Sequence, residues 1–207
     1  MKDIYIIGTG GHGKVVLDIL EKINANIAGF LDDDEATHDN MINGYPVIGY
    51  INKLKDEDAD AIVAIAHNPT RKKLFYQILD YDINTINAIH PDATVNSHVE
   101  LGTGNTVAAG VVINSNTVIE DNIIINTGAT IDYDCLIEDH VHISPGVHLG
   151  GNVTVKTGSH IGIGASVLPG ITIGENVTVG AGAVVINNLE SDAVYAGVPA
   201  EKVRDIN

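Results

Sequence analysis

The chain is poor in aromatic residues and rich in small and β-branched ones. It has no tryptophan and only 4% aromatic residues against 22 glycines, and valine, isoleucine, asparagine and aspartate are frequent. This composition disfavours a protein made of packed helices. It favours short β segments separated by tight turns.

Positive charge is also scarce. The chain has 11 Lys and Arg residues against 27 Asp and Glu residues, which gives a formal net charge of -16. The one basic run, Arg71 to Lys73, is too short to follow a phosphate backbone. We therefore do not expect a nucleic-acid partner.

A disulfide framework and a membrane span are missing as well. Cys135 is the single cysteine, so no internal disulfide can form. The start Met1-Lys2-Asp3 leads directly into an apolar strand pattern, and no apolar run approaches the ~20 residues that a spanning helix needs. The expectation is a cytoplasmic protein with no membrane partner.

A six-residue period fills the second half of the chain. From Ile89 to Val185 every sixth residue is aliphatic, and the residues two positions earlier are mostly small or β-branched. An unbroken period of six predicts a left-handed parallel β-helix over residues 89–187, within a domain of residues 89–207 that ends in a C-terminal tail. About three hexapeptides, roughly eighteen residues, form one coil. The aliphatic residues should point inward, and Gly, Asn and Asp should occupy the corners.

The first part of the chain alternates strand and helix patterns. Strands are predicted at 4–7, 27–31, 61–65 and 85–89, with helices at 14–23 and 70–79. This order predicts an α/β domain over residues 1–88, with a small Rossmann-like parallel sheet.

A glycine loop joins the first strand to the first helix. Gly8, Gly10 and Gly13 match the dinucleotide fingerprint, and Asp32 or Asp33 follows where a ribose hydroxyl is bound. A domain of this length lacks the second half of a dinucleotide fold, so we favour a sugar nucleotide over NAD or a purely structural turn. His12 lies at the helix start, where it either contacts a phosphate or uracil or caps the helix without a ligand.

Apolar side chains are also expected on the outer faces of the β-helix. Val112, Ile124 and Val184 fall at outward positions, and three prisms packed about a threefold axis would cover them.

Several motifs together resemble a known family. They are, in chain order, Gly10-Gly11-His12-Gly13, Phe30-Leu31-Asp32-Asp33, Arg71-Lys72-Lys73, Asn126-Thr127 and the stretch from Ile131 to Pro145. With the β-helix, they resemble the hexapeptide-repeat sugar acetyltransferases of bacterial glycan pathways: the UDP-4-amino-sugar N-acetyltransferases of the bacillosamine route, the perosamine N-acetyltransferases and the sialic acid O-acetyltransferases. The resemblance implies a homotrimer with active sites between neighbouring prisms, acetyl-CoA as co-substrate and no metal.

The resemblance also implies roles for individual residues. The nucleotide sugar would contact Gly10, Gly11, His12, Asp32, Asp33 and Ala66. Acetyl-CoA would contact His142, Ile163 and Ala181. The family's catalytic histidine falls on Tyr133, and its acidic partner falls on Asp134.

Tyr133 departs from the family pattern. A tyrosine side chain, whose pKa in model peptides is about 10, is a poor general base at neutral pH, whereas a histidine is suited to that role. Three outcomes remain open: Asp134 or a histidine elsewhere acts as the base, the amine loses its proton to water before attack, or this protein is catalytically impaired. The candidate histidines are His140, His142, His148 and His160.

Two other chemistries are weighed against acetyl transfer. His142 and His160 are eighteen residues apart and should stack on consecutive coils, which admits a metal site like that of the γ-class carbonic anhydrases, although that class uses three histidines at other spacings. Cys135 falls on an inward position, which disfavours an acyl-cysteine.

The predicted function is acetyl-CoA-dependent N-acetylation of a nucleotide-linked amino sugar in bacterial surface glycan synthesis. The alternatives are a sugar O-acetyltransferase, which needs a stronger base, and a sugar-nucleotide-binding protein without turnover.

Overall fold

The computed structural model describes residues 2–206. Its first part contains six strands, two α-helices and two short 3₁₀ helices, Glu35–Thr37 and Ile51–Asp56. The strands are β1 (Asp3–Ile7), β2 (Ile27–Leu31), β3 (Met41–Ile42), β4 (Tyr45–Gly49), β5 (Ala59–Val63) and β6 (Asn84–Thr85). The helices are α1 (Gly11–Lys22) and α2 (Asn68–Leu79).

These strands form one sheet in the order β3-β4-β2-β1-β5-β6. All neighbours are parallel except β3 and β4, which form an antiparallel hairpin. The predicted Rossmann-like α/β fold is confirmed, but the sequence pattern missed β3 and β4. Pro46 inside β4 weakens its strand signal. The strand predicted at 85–89 is two short strands in different sheets, because the chain passes there from the first domain into the second.

The rest of the chain forms a triangular prism with three parallel sheets, here called faces I, II and III. Face I contains β7 (Ala88–Ile89), β10 (Thr106–Val107), β13 (Ile124–Ile125), β16 (His142–Ile143), β19 (His160–Ile161), β22 (Thr178–Val179), β24 (Ala193–Ala196) and β25 (Glu201–Asp205), the last antiparallel to β24. Face II contains β8 (Thr94–Val95), β11 (Val112–Ile113), β14 (Thr130–Ile131), β17 (His148–Leu149), β20 (Ser166–Val167) and β23 (Val184–Val185). Face III contains β9 (Glu100–Leu101), β12 (Val118–Ile119), β15 (Leu136–Ile137), β18 (Thr154–Val155) and β21 (Thr172–Ile173).

The coil repeats every eighteen residues, as the sequence period predicted. Thr106 pairs with Ile124, and Ile124 pairs with His142 on the next coil. The aliphatic residues of the period fill the prism, from Val107 to Val185, and Cys135 lies among them. The left-handed parallel β-helix is therefore confirmed.

Polar residues turn the chain at the corners. At the corner between faces II and III, Asn116, Asp134 and Asn152 all have positive φ, near 60°. Asparagine and aspartate tolerate this left-handed conformation better than other residues with side chains. The recurrence of the same conformation at the same corner keeps the coils in register.

The first domain packs on face I and on the two corners that adjoin it. Its contacts include Asn68 with Ser159, Thr85 with Thr103, and α1 with β7. Ile124, predicted to be exposed, is only 1% exposed because face I is covered by the chain's own first domain. Val112 and Val184, on face II, remain partly exposed.

Neither helix within residues 2–206 has the length and apolar character needed to cross a lipid bilayer.

Candidate active site

The glycine loop brings the end of β1 close to the start of α1. Gly8 has φ 107°, and a side chain at Gly13 would overlap the carbonyl oxygen of Gly8. Gly10 is the N-cap of α1, so His12 is not the capping residue. The first N–H groups of a helix have no partner within it, and they favour a bound anion. This loop therefore has the geometry of a phosphate site.

The two aspartates after β2 have different partners. Asp32 Oδ2 accepts hydrogen bonds from the Thr9 backbone N–H (2.9 Å) and from Thr9 Oγ1 (2.7 Å). Burial opposes ionisation of Asp32, but these bonds and one from Asp34 N–H outweigh it and lower its pKa. Asp33 Oδ1 accepts from the Ile51 N–H at 3.1 Å. Asp32 thus stabilises the glycine loop, and the exposed Asp33 has a second carboxylate oxygen that is available to a ligand.

Three histidine rings lie where the first domain meets face I. His142 stacks on His160 with ring centroids 4.7 Å apart and an interplanar angle of 6°. The predicted stacking on consecutive coils is confirmed. His160 Nε2 lies 2.8 Å from Ser144 Oγ. Burial lowers the pKa of His142 to about 3 and that of His12 to about 4, so both rings are neutral at pH 7.

His142 links the two domains directly. Its Nδ1 lies 3.2 Å from the backbone oxygen of Ala66, which can only accept, so Nδ1 carries the proton. Ala66 follows β5, at the same edge of the sheet as the glycine loop. A predicted acetyl-CoA residue and a predicted sugar-nucleotide residue are therefore in contact.

A groove of about 460 Å³ crosses face I near the corner between faces I and II. His142, Ile163 and Ala181, the three residues predicted to contact acetyl-CoA, all line it, together with Asn126 and Ser144. A second recess of about 840 Å³ adjoins it, because His142 and His160 line both. Ala66 and the start of α2 also line the second recess. The structure thus brings the predicted acetyl-CoA residues together.

Tyr133 and Asp134 lie elsewhere, at the corner between faces II and III. This corner is opposite face I in a triangular prism, so one chain does not bring Tyr133 to its own glycine loop. The Tyr133 ring is 48% exposed and lies over Gly151, where an added β-carbon would be 2.5 Å from Tyr133 Cζ. Asp134 Oδ1 accepts from Asn116 Nδ2 at 3.1 Å, and within residues 2–206 Asp134 makes no hydrogen bond to Tyr133.

The four candidate histidines occupy different places. His140 is 1% exposed; its Nδ1 accepts from Asn122 Nδ2 (2.8 Å) and its Nε2 lies 3.1 Å from the Tyr76 hydroxyl. His142 and His160 lie on face I. His148 is exposed on face II, the face that leads to Tyr133. In the part of the chain that the structure describes, no three potential ligand side chains are grouped to hold a metal ion.

The predicted site residues include neither Arg71 nor Asn68, although Arg71 belongs to one of the motifs that carry the family resemblance. Arg71 is 1% exposed and Asn68 is 8% exposed, both at the domain interface. The helical spacing indicates that Arg71 is buried, since it shares a helical face with Leu74, Phe75 and Ile78, which are all buried. Its basic neighbours, Lys72 and Lys73, are exposed.

Comparison with known proteins agrees with this architecture. Residues 3–78 match the family model described as the PglD N-terminal domain. A UDP-N-acetylbacillosamine N-acetyltransferase from Bacillus subtilis (strain 168) is 35% identical over 112 residues, which are 52% of this chain and 51% of that protein. The matched segment thus spans about half the length of this curated relative.

Two solved structures match over almost the entire chain. A variant of GDP-perosamine N-acetyltransferase from Caulobacter crescentus, in complex with CoA and GDP-perosamine, is 38% identical with a TM-score of 0.94, covering 99% of this chain and 98% of that one. The acetyltransferase domain of PglB from Neisseria gonorrhoeae, in complex with acetyl coenzyme A, is 36% identical with a TM-score of 0.92, covering 98% and 99%. The chain belongs to the family of hexapeptide-repeat sugar acetyltransferases.

Proposed function

We propose that this protein transfers the acetyl group of acetyl-CoA to the amine of a nucleotide-linked amino sugar. One observation carries the proposal: the groove lined by His142, Ile163 and Ala181 lies beside a domain whose glycine loop has a geometry suited to a phosphate. The carbonyl of Ala66 joins the two sites through His142. Donor and acceptor are thereby held on the same side of one chain.

The two domains divide the substrates between them. Residues 1–88 would hold the nucleotide sugar through Gly10, Gly11, His12 and Asp33, with Asp32 acting through the loop that it braces. Residues 89–207 would hold acetyl-CoA along face I. Face II and the corner between faces II and III would be available to a neighbouring chain.

A trimer would complete the site. Tyr133 lies opposite face I of its own chain, so the Tyr133 that approaches a given glycine loop must come from a neighbour. Partly exposed apolar residues on face II, such as Val112 and Val184, are suited to such packing.

We expect multi-angle light scattering to give about three times the chain mass of 21.8 kDa at micromolar concentration. The partial exposure of Val112 and Val184 on face II is the physical reason. Replacing Val112 and Val184 by lysine should release monomers, and the matched change of Val118 on face III should release fewer. A stable monomer of the natural protein would contradict the shared site.

The transfer needs no covalent enzyme intermediate. The neutral amine attacks the thioester carbonyl, the C–S bond breaks, and the departing thiolate is protonated while the amine gives up its proton. The Gly151 N–H makes no hydrogen bond within residues 2–206 and lies beside the Tyr133 ring. In a trimer, the corner of a neighbouring chain would bring this N–H to the thioester, where it would hold the oxyanion. Tyr133 would donate a hydrogen bond rather than remove a proton.

A sugar-nucleotide-binding role without turnover is the second candidate. It is favoured by the position of Asp134, whose carboxylate is held by Asn116 rather than by Tyr133. A hydroxyl acceptor is disfavoured, because a hydroxyl needs a stronger base than an amine does.

Binding measurements test the division of substrates. Asp33→Ala should weaken binding of a UDP-linked sugar by about tenfold or more, because a hydrogen bond to a charged group is worth about 1.5–3 kcal/mol. Its affinity for CoA should not change. Isothermal titration calorimetry with each ligand alone gives both values.

Asp80→Ala is the matched control, since Asp80 is an exposed carboxylate at the far end of α2. It should leave both affinities unchanged. Equal losses of CoA and nucleotide affinity in Asp33→Ala would contradict the proposed division.

A further inference from the structure

Arg71 is a buried cation without an anionic partner. Its side chain is 1% exposed, and within residues 2–206 no carboxylate lies within ion-pair distance of it. Removing a charged group from water costs several kcal/mol, even after relaxation of the protein. Burial lowers the Arg71 pKa to about 9, so the guanidinium is still charged at pH 7.

Backbone carbonyls from both domains take all of its hydrogen bonds. Nη1 donates to Ile65 O (3.2 Å) and Ala66 O (3.1 Å), at the end of the first domain's sheet. On the prism side, the acceptors are Asn122 O for Nε (3.1 Å) and His140 O (2.7 Å) and Val141 O (3.2 Å) for Nη2. The guanidinium has five N–H donors. All five are satisfied, and none remains for a ligand.

An apolar residue in this space would have a lower free-energy cost of desolvation than the charged guanidinium has. Replacing buried ionic groups with well-packed apolar ones is often neutral or stabilising. The planar guanidinium differs in that its donors have fixed directions, so it constrains where its acceptors lie. The arrangement is therefore better suited to fixing a geometry than to adding stability.

The fixed carbonyls border both proposed substrate sites. Ala66, a proposed sugar-nucleotide contact, accepts from Arg71 and also from His142 Nδ1. Val141, held on the prism side, directly precedes His142, a proposed acetyl-CoA contact. One side chain thus spans the boundary between the two substrates.

We infer that Arg71 is a positioning residue that fixes the sugar-nucleotide domain against the acetyl-CoA groove and so sets the distance between amine and thioester. This inference rests on the proposed function. A misplacement of about 1 Å between reacting groups can cost ~10²-fold in rate. Arg71 acts through Ala66 and Val141 without touching either substrate.

A bisubstrate probe tests the inference without requiring turnover. The probe is a UDP-linked amino sugar joined through its nitrogen to CoA by a short acetyl linker. With both half-sites correctly placed, it should bind about 10²–10⁴-fold more tightly than UDP-sugar or CoA alone. Arg71→Met should remove at least about tenfold of that gain and change each separate affinity by less than about threefold.

Arg71→Lys and Lys73→Met complete the set. Lysine keeps the positive charge but lacks the planar, forked N–H donors of the guanidinium. Arg71→Lys should therefore retain part of the gain in affinity for the bisubstrate probe. Lys73 is exposed on the same helix, and its variant should behave as the natural protein. If Arg71→Met does not fold, Arg71→Lys provides the test, with thermal unfolding measured in parallel.

The outcomes are distinct. A full bisubstrate gain in both Arg71 variants would overturn the inference, as would equal weakening of the separate ligands and the probe, which indicates general damage. If the natural protein binds neither CoA nor UDP-sugar, the proposed function fails and the inference fails with it.

Discussion

Replacing Tyr133 with histidine is expected to raise the rate of acetyl transfer by about 10²–10⁴-fold, the usual contribution of a positioned general base. The corner at Tyr133 is where the family resemblance places its histidine, and Asp134 follows directly. For the pair to form, the Asp134 carboxylate must turn from Asn116 Nδ2 toward the new ring. The carboxylate would then orient the imidazole and stabilise its protonated form.

The pH dependence is a second signature of this change. The rate of Tyr133→His should fall as the pH drops through the histidine pKa, near 6.5 for an unperturbed ring, because only the neutral imidazole accepts a proton. Steady-state rates between pH 5 and 9 would show the inflection. Adding Asp134→Asn to Tyr133→His should reduce the gain.

Tyr133→Phe is the matched control for the natural protein. If the phenol donates a useful hydrogen bond, Tyr133→Phe should be slower than the natural protein. If the natural protein is already fast and Tyr133→His slows it, the expectation of a missing base is wrong. Negligible rates in all three forms, with nucleotide still bound, would favour the binding role.

Purified mixed trimers of two impaired variants are expected to recover about one third of the parent activity. The parent is Tyr133→His. One variant carries Tyr133→Ala, which leaves its glycine loop intact, and the other carries Asp33→Ala in the parent background. A mixed trimer has two chains of one variant and one of the other, and in either case about one in three of its sites combines an intact loop with an intact corner.

Complementation depends on the position of Tyr133 opposite face I. If the site lay within one chain, each variant would stay impaired and the mixture would show only the average of the two. The mixture is made by co-expression with different affinity tags, and hybrid trimers are purified through both. Asp80→Ala in place of Asp33→Ala gives the control, in which half of the sites should work.

The six-residue period was sufficient to predict the prism, because inward positions in a β-helix admit few residue types other than aliphatic ones. It could not predict which face the first domain covers. Ile124 and Val112 have the same outward position in the repeat, yet Ile124 is buried and Val112 partly exposed. That difference arises from docking between distant segments, which a local period does not encode.

The site shows the same limit. The grouping of His142, Ile163 and Ala181 follows from the spacing of the coils, so sequence comparison could assign them together. Arg71 was read as part of a short basic run, because its partners are backbone carbonyls, which have no sequence signature. The hairpin of β3 and β4 was missed because β3 has only two residues and β4 contains a proline, which together give a weak pattern.

The central claim, acetyl transfer to a nucleotide-linked amino sugar, is tested most directly by a thioester-release assay. The natural protein and Tyr133→His are each incubated with acetyl-CoA and a panel of UDP- and GDP-linked amino sugars, and free thiol is followed with time. Mass spectrometry then detects the acetylated sugar. We predict release that requires an amino sugar nucleotide, matches the product in amount and is faster with Tyr133→His. No sugar-dependent release from either form, with both ligands bound, would contradict the account.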